Sequence, residues 1–130
     1  MAGRGVRVLV ADDEPGVRTV MAEALQAAGF EAVQAGGPGE ALRLMTESAG
    51  LAMVVTDIEM PGFGGFDVAT QARARNPRIP ILFVTDQPDR VTDRTTAAPC
   101  YCLSRPFTAA VLVEVVDRLL HGCRDTGPLS

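Results

Sequence analysis

The stretch VLVADDEP, Val8 to Pro15, runs four apolar residues directly into three consecutive acids. Unbroken apolarity is what a strand needs when both faces of its sheet are covered, as in a parallel sheet flanked by helices. Asp12, Asp13 and Glu14 then lie just past the carboxyl end of that strand. Carboxylates this close repel one another and lose hydration wherever the core takes them in. Strand geometry does not call for them, so a positive charge is their expected partner.

Downstream of this strand, extended from Val6 to Ala11, two periodicities alternate. Pro15 suits a first helical position. Val17, Val20, Met21, Ala24, Leu25 and Ala28 follow as the stripe of an amphipathic helix, and Gly29 stands where a helix stops. EAVQA (Glu31 to Ala35) is a short strand, and Pro38 to Ala49 a helix with Ala41, Leu42 and Met45 inward. LAMVVTD is a second fully buried strand, ending on Asp57. Gly65 to Arg75 makes a third helix, closed by Asn76-Pro77, and IPILFVT a third buried strand ending on Thr85. Gln87 to Ala98 holds Pro88, three threonines and little periodicity, so a fourth helix there is short or frayed. CYCLS, Cys100 to Ser104, is a fifth strand. Thr108 caps a last helix with Leu112, Val115, Val116 and Leu119 inward and Gly122 at its end.

A length of 130 residues suits one domain with its own core. A hydrophobic fraction of 47% with 22% charged residues argues against disorder. No apolar run reaches membrane-spanning length, and Met-Ala-Gly-Arg-Gly makes no signal peptide, so a cytoplasmic location is expected. Cys100, Cys102 and Cys123 match no zinc spacing and are read as small reduced core residues. The net charge of -4 gives no reason to expect nucleic acid as a partner. All twelve basic residues are arginine.

Five strand–helix alternations imply an α/β fold, a doubly wound five-stranded parallel sheet between two helical layers. Ligands in such sheets sit beyond the carboxyl ends of the strands. Asp12 and Asp13, Asp57, Thr85 and Arg105 all fall at that edge. Three carboxylates there suit a hard divalent cation, and magnesium needs only two or three of them because it keeps several waters. The cation would also neutralise phosphoryl oxygens, leaving Asp57 as nucleophile, Thr85 as hydrogen-bond donor to one phosphoryl oxygen and Arg105 as partner of another. The plainer readings are that Asp12 caps a helix and Asp57 begins a turn. Either would serve for one acid alone; together at adjacent strand ends the two favour a metal site. Glu14 is read as a solvated or capping acid, Gly65 as allowing close backbone approach or a helix start, and His121 as a helix-end residue.

In VLVADDEP, VVTDIEMPGFGGFD, PILFVTD and SRPF the sequence resembles the receiver domain of two-component response regulators over nearly its whole length. The resemblance implies a flavodoxin-like three-layer sandwich over residues 4–123, with 124–130 a flexible tail. It implies that Asp57 accepts a phosphoryl group from a histidine kinase, a phosphotransfer protein or a small phosphodonor. Asp12 and Asp13 would hold Mg2+ with the backbone carbonyl of Glu59, and Thr85 would be the switch hydroxyl. It further implies a cis Arg105-Pro106 bond, no enzymatic activity beyond the domain's own phosphorylation and dephosphorylation, and no membrane partner. On the last helix Val111, Val113 and Leu120 widen the apolar arc; either they are simply buried, or, as the resemblance implies, that face docks a downstream protein or a second copy.

Several positions depart from the family's pattern. Arg105 stands where the family has lysine; it would pair with the phosphoryl group, or with Asp57 beforehand. Asp86 follows Thr85 where a very small residue is usual. The family's switch aromatic aligns with Cys102, while Tyr101 lies one place earlier on the opposite face. The segment between Thr85 and Arg105 is short, as in receivers attached to hybrid histidine kinases. These departures sustain an alternative, a degenerate receiver acting as a protein-interaction module without phosphorylation. An aspartyl-phosphate phosphatase fits less well, since Asp57-Ile58-Glu59 is not D-x-D and lysine is lacking. A flavodoxin-like nucleotide binder fits badly, because ADDEPG would repel a phosphate.

Overall fold

In the computed structural model, which describes residues 5–47, 50–60, 64–86 and 100–121, nine elements follow in order. They are β1 (Arg7–Ala11), α1 (Pro15–Ala27), β2 (Glu31–Ala35), α2 (Pro38–Glu47), β3 (Leu51–Asp57), α3 (Gly65–Arg75), β4 (Ile81–Thr85), β5 (Cys100–Ser104) and α4 (Ala109–Leu120). The expected weak helix over residues 87–98, the stop at Gly122 and the tail lie outside the described residues.

The strands form one sheet in the order β2-β1-β3-β4-β5, every neighbouring pair parallel. β1, β3 and β4 occupy the interior, and each carries a run of at least four aliphatic or aromatic residues, Val8 to Ala11, Leu51 to Val55 and Ile81 to Val84. Side chains alternate across the sheet. Val8, Val10, Val55, Leu82 and Val84 pack with Met21 and Leu25 of α1 and with Leu112, Val115 and Val116 of α4. Leu9, Ala11, Val54, Ile81 and Phe83 pack on the other face with Ala41 and Met45 of α2 and Val68 and Ala72 of α3. The result is the expected three-layer sandwich.

Local signals explain most boundaries. Gly29 takes φ +97° just past the end of α1, the left-handed conformation that only glycine adopts without penalty. The Thr108 hydroxyl oxygen accepts the Val111 N–H at 3.1 Å and caps α4. β4 begins at Ile81, two residues later than its apolar run, because Pro80 has no N–H and Ile79 closes a turn onto the Asn76 carbonyl. Ile79 is still buried.

Tyr101 and Cys102 fall on opposite faces, as their alternation requires. Tyr101 is buried in the layer shared with α1 and α4. Cys102, half-buried, lies opposite Phe83 in the other layer, where Phe83 meets Phe66 of α3 at 5.0 Å between ring centroids. The widened apolar arc of α4 is mostly absorbed by packing: Val113 and Leu120 lean on the core, and Val111 remains 40% exposed.

Candidate functional site

Strand order reverses around β1 and β3, so the chain leaves these adjacent strands in a crevice at their carboxyl ends. Asp12 follows β1 directly and Asp57 is the last residue of β3. One carboxylate oxygen each from Asp12, Asp13 and Asp57 lie within 4.8 Å of one another, the acidic cluster found among the described residues. Asp12 is fully buried, Asp57 is largely so, and Asp13 faces solvent.

Asp12 is held from several sides. Its N–H donates to the Ala35 carbonyl at 3.1 Å, and its own carbonyl accepts from Arg18 Nη1 at 2.9 Å. Carboxylate oxygen Oδ1 accepts the Glu14 N–H at 2.9 Å, at the start of α1. Asp12 thus braces the residue that precedes α1 and also belongs to the acidic cluster, while α1 itself has no side-chain cap. Glu14 is exposed and its side chain makes no cap. Arg18 also reaches Gln34 on β2 at 3.2 Å, clamping the end of β1 to its neighbour. The apolar stripe of α1 does not reveal this role, since Arg18 lies off the stripe.

Gly64 and Gly65 let α3 start hard against the end of β3. The Gly65 N–H donates to the Ile58 carbonyl at 2.8 Å. A side chain at Gly65 would collide with the backbone carbonyl of Asp57, and one at Gly64 with that of Ile58. Close backbone approach is thus the reason for glycine here. Asp67 accepts the Gly64 N–H at 3.1 Å and fixes the first turn.

Arg105, just beyond β5, completes the crevice. Its N–H donates to the Thr85 carbonyl at 2.9 Å, which joins the ends of β4 and β5, and the Arg105-Pro106 bond is cis. Nη2 reaches Asp12 Oδ2 at 2.8 Å and stands 3.9 Å from Asp57 Oδ2. Its close partner is thus Asp12, while Asp57, one of the two partners the sequence offered, forms a longer ion pair with it. Arginine's length and planar fork carry the charge across the crevice to the first strand. Thr85 is buried at the end of β4, Asp86 is exposed beside it, and exposed Glu59 donates its N–H to Asp57 Oδ1 at 3.4 Å.

The acids are short of positive charge even so. Burial and then the Asp12 charge push the Asp57 carboxyl up to about 6, against the opposing pull of Arg105. Burial likewise raises Asp12, against its bond from Glu14 and the charge of Arg105. An all-oxygen donor set in this condition fits a small hard dication such as Mg2+.

A family model for the response regulator receiver domain matches residues 8–117. The transcriptional regulatory protein PrrA of Mycobacterium tuberculosis is 38% identical over 118 residues, covering 88% of this chain and 50% of PrrA. A response regulator receiver protein from Sinorhizobium medicae has a similar crystal structure, with TM-score 0.83 and 29% identity over 89% of this chain and 94% of that one. The response regulator TrrA of Thermotoga maritima, crystallised in complex with Mg2+–BeF, gives TM-score 0.76 at 32% identity over 88% of this chain and 98% of that one. The chain spans from about a quarter to about half the length of several curated regulators it matches.

Proposed function

Since the chain belongs to the response regulator receiver domain family, signalling domains of two-component systems, we propose that it is a Mg2+-dependent phosphoacceptor whose acceptor is Asp57. The observation that carries this reading is the meeting of Asp12, Asp13 and Asp57 oxygens within 4.8 Å beyond adjacent strands. The receiver unit proposed is residues 4–123.

An ionised Asp57 oxygen attacks the phosphorus of a phosphohistidine on a histidine kinase or phosphotransfer protein, or of a small acyl phosphate. The new O–P bond forms as the P–N or P–O bond to the leaving group breaks. The electron pair departs with the imidazole, which takes up a proton, or with the carboxylate. Bound by Asp12, Asp13, Asp57 and the Glu59 carbonyl, Mg2+ would neutralise the phosphoryl oxygens and lower their repulsion of the nucleophile. The Thr85 hydroxyl donates to one phosphoryl oxygen and Arg105 pairs with another. Both sit at the ends of β4 and β5, so their movement biases the surface between β4 and α4. The exposed Val111 gives α4 an apolar contact for a downstream protein or a second copy. Such a domain works in the cytoplasm, where kinases hold their phosphohistidine.

The contact between Arg105 and Asp12 favours a second reading, a degenerate receiver whose acidic crevice already holds a cationic side chain. Beryllofluoride with Mg2+, a phosphoryl mimic, separates the two. The phosphoacceptor reading expects NMR shift changes around Asp57 and Thr85. Unchanged shifts in a protein that still binds its partner would establish the degenerate one.

A further inference from the structure

We propose that Arg105 is a resident counter-cation that holds the Asp12 Oδ2 position against a divalent ion, so that metal binding and release of Arg105 are one event. The proposal rests on the phosphoacceptor reading and adds to it a regulation of the metal site by the chain's own side chain.

Both Asp12 oxygens are engaged: Oδ1 by the Glu14 N–H at 2.9 Å and Oδ2 by Arg105 Nη2 at 2.8 Å. Asp12 is completely buried, so no solvent-facing lone pair is left to offer an incoming ion. Nη2 is also 3.9 Å from Asp57 Oδ2, so one guanidinium nitrogen is within ion-pair reach of both carboxylates. An ion shared by those carboxylates competes with the guanidinium for Asp12 Oδ2 and is repelled by its like charge.

The pose is also an incomplete one. A guanidinium presents five N–H donors in a rigid fork, yet Arg105 Nε is buried without a hydrogen-bond partner among the described residues. The backbone is tied to the Thr85 carbonyl, while the side chain keeps 28% of its surface exposed and has a way out. Displaced from Asp12, the fork stays beside Asp57, where a phosphoryl group would satisfy it bidentately. The ion therefore comes first and frees Arg105 for the phosphoryl oxygens. Linkage makes the coupling reciprocal: whatever draws Arg105 off Asp12 tightens metal binding.

Calorimetric titration with MgCl2 at neutral pH or above, on wild type, Arg105→Gln and Arg105→Lys, tests this. Arg105→Gln is expected to bind Mg2+ roughly tenfold more tightly than wild type, and Arg105→Lys to fall between them. A merely structural contact would give no gain in affinity on its removal. In wild type, the Arg105 Nε–H resonance is expected to move with the same midpoint as metal saturation, a readout that needs no variant to fold. Equal or weaker binding by Arg105→Gln, or an Nε–H signal unmoved through saturation, overturns the inference and leaves the metal site standing. No Mg2+ binding by wild type and variants alike removes both.

Discussion

Asp57 is a carboxyl group placed where its charge is least welcome, and that placement has a measurable consequence. Its value of about 6 lies above the ordinary 3.8, so between these limits the folded protein binds more protons than the unfolded chain. Stability of the metal-free protein from this group is full below about pH 4 and is lost as pH rises through about 6. Asp57→Asn removes the buried charge and its repulsion of Asp12. In EDTA at pH 7 the variant is expected to be more stable than wild type by about 1–2 kcal/mol, the gap closing in acid. Urea denaturation at both pH values checks this. A wild type as stable as the variant at neutral pH would contradict the charge deficit. A value of about 6 still leaves Asp57 mostly ionised at neutral pH, as a nucleophile must be.

At the scale of elements, the crevice depends on how closely α3 follows β3. Gly65 is buried, with the Asp57 carbonyl where a side chain would begin, so Gly65→Ala pushes the helix and the acceptor strand apart. Overpacking of this kind costs about 2–3 kcal/mol in denaturation experiments, and here it displaces Asp57 as well. Mg2+ affinity is therefore expected to weaken together with stability. A Gly65→Ala protein with wild-type stability would show that the junction has slack that the structure does not display. The glycine was legible in the sequence because a helix start beside a strand end demands close approach. The start of β4 was not, since apolar Ile79 reads as strand while Pro80 denies the ladder its N–H. The clamp made by Arg18 was also hidden. It depends on an arginine reaching back over one turn of α1 to the Asp12 carbonyl, and periodicity carries no information about reach.

For the molecule as a whole, the sheet was readable because burial on both faces demands uninterrupted apolar runs, and β1, β3 and β4 have them. Their carboxyl ends were readable for the opposite reason: acids stand where the core ends and nothing local needs them. Two-residue alternation along β5 also separated Tyr101 from Cys102. What the sequence left open was the partner chosen by Arg105. That choice turns on a 93-residue separation closed by folding and on the length of one side chain. Among the described residues no helix is long and apolar enough to cross a membrane. The whole account converges on acyl-phosphate formation at a single carboxylate. Incubation with acetyl phosphate and Mg2+, followed by intact mass measurement in acid, should add the mass of one phosphoryl group to wild type and nothing to Asp57→Asn. An unmodified wild type, or a phosphoryl group that persists on Asp57→Asn, would contradict it.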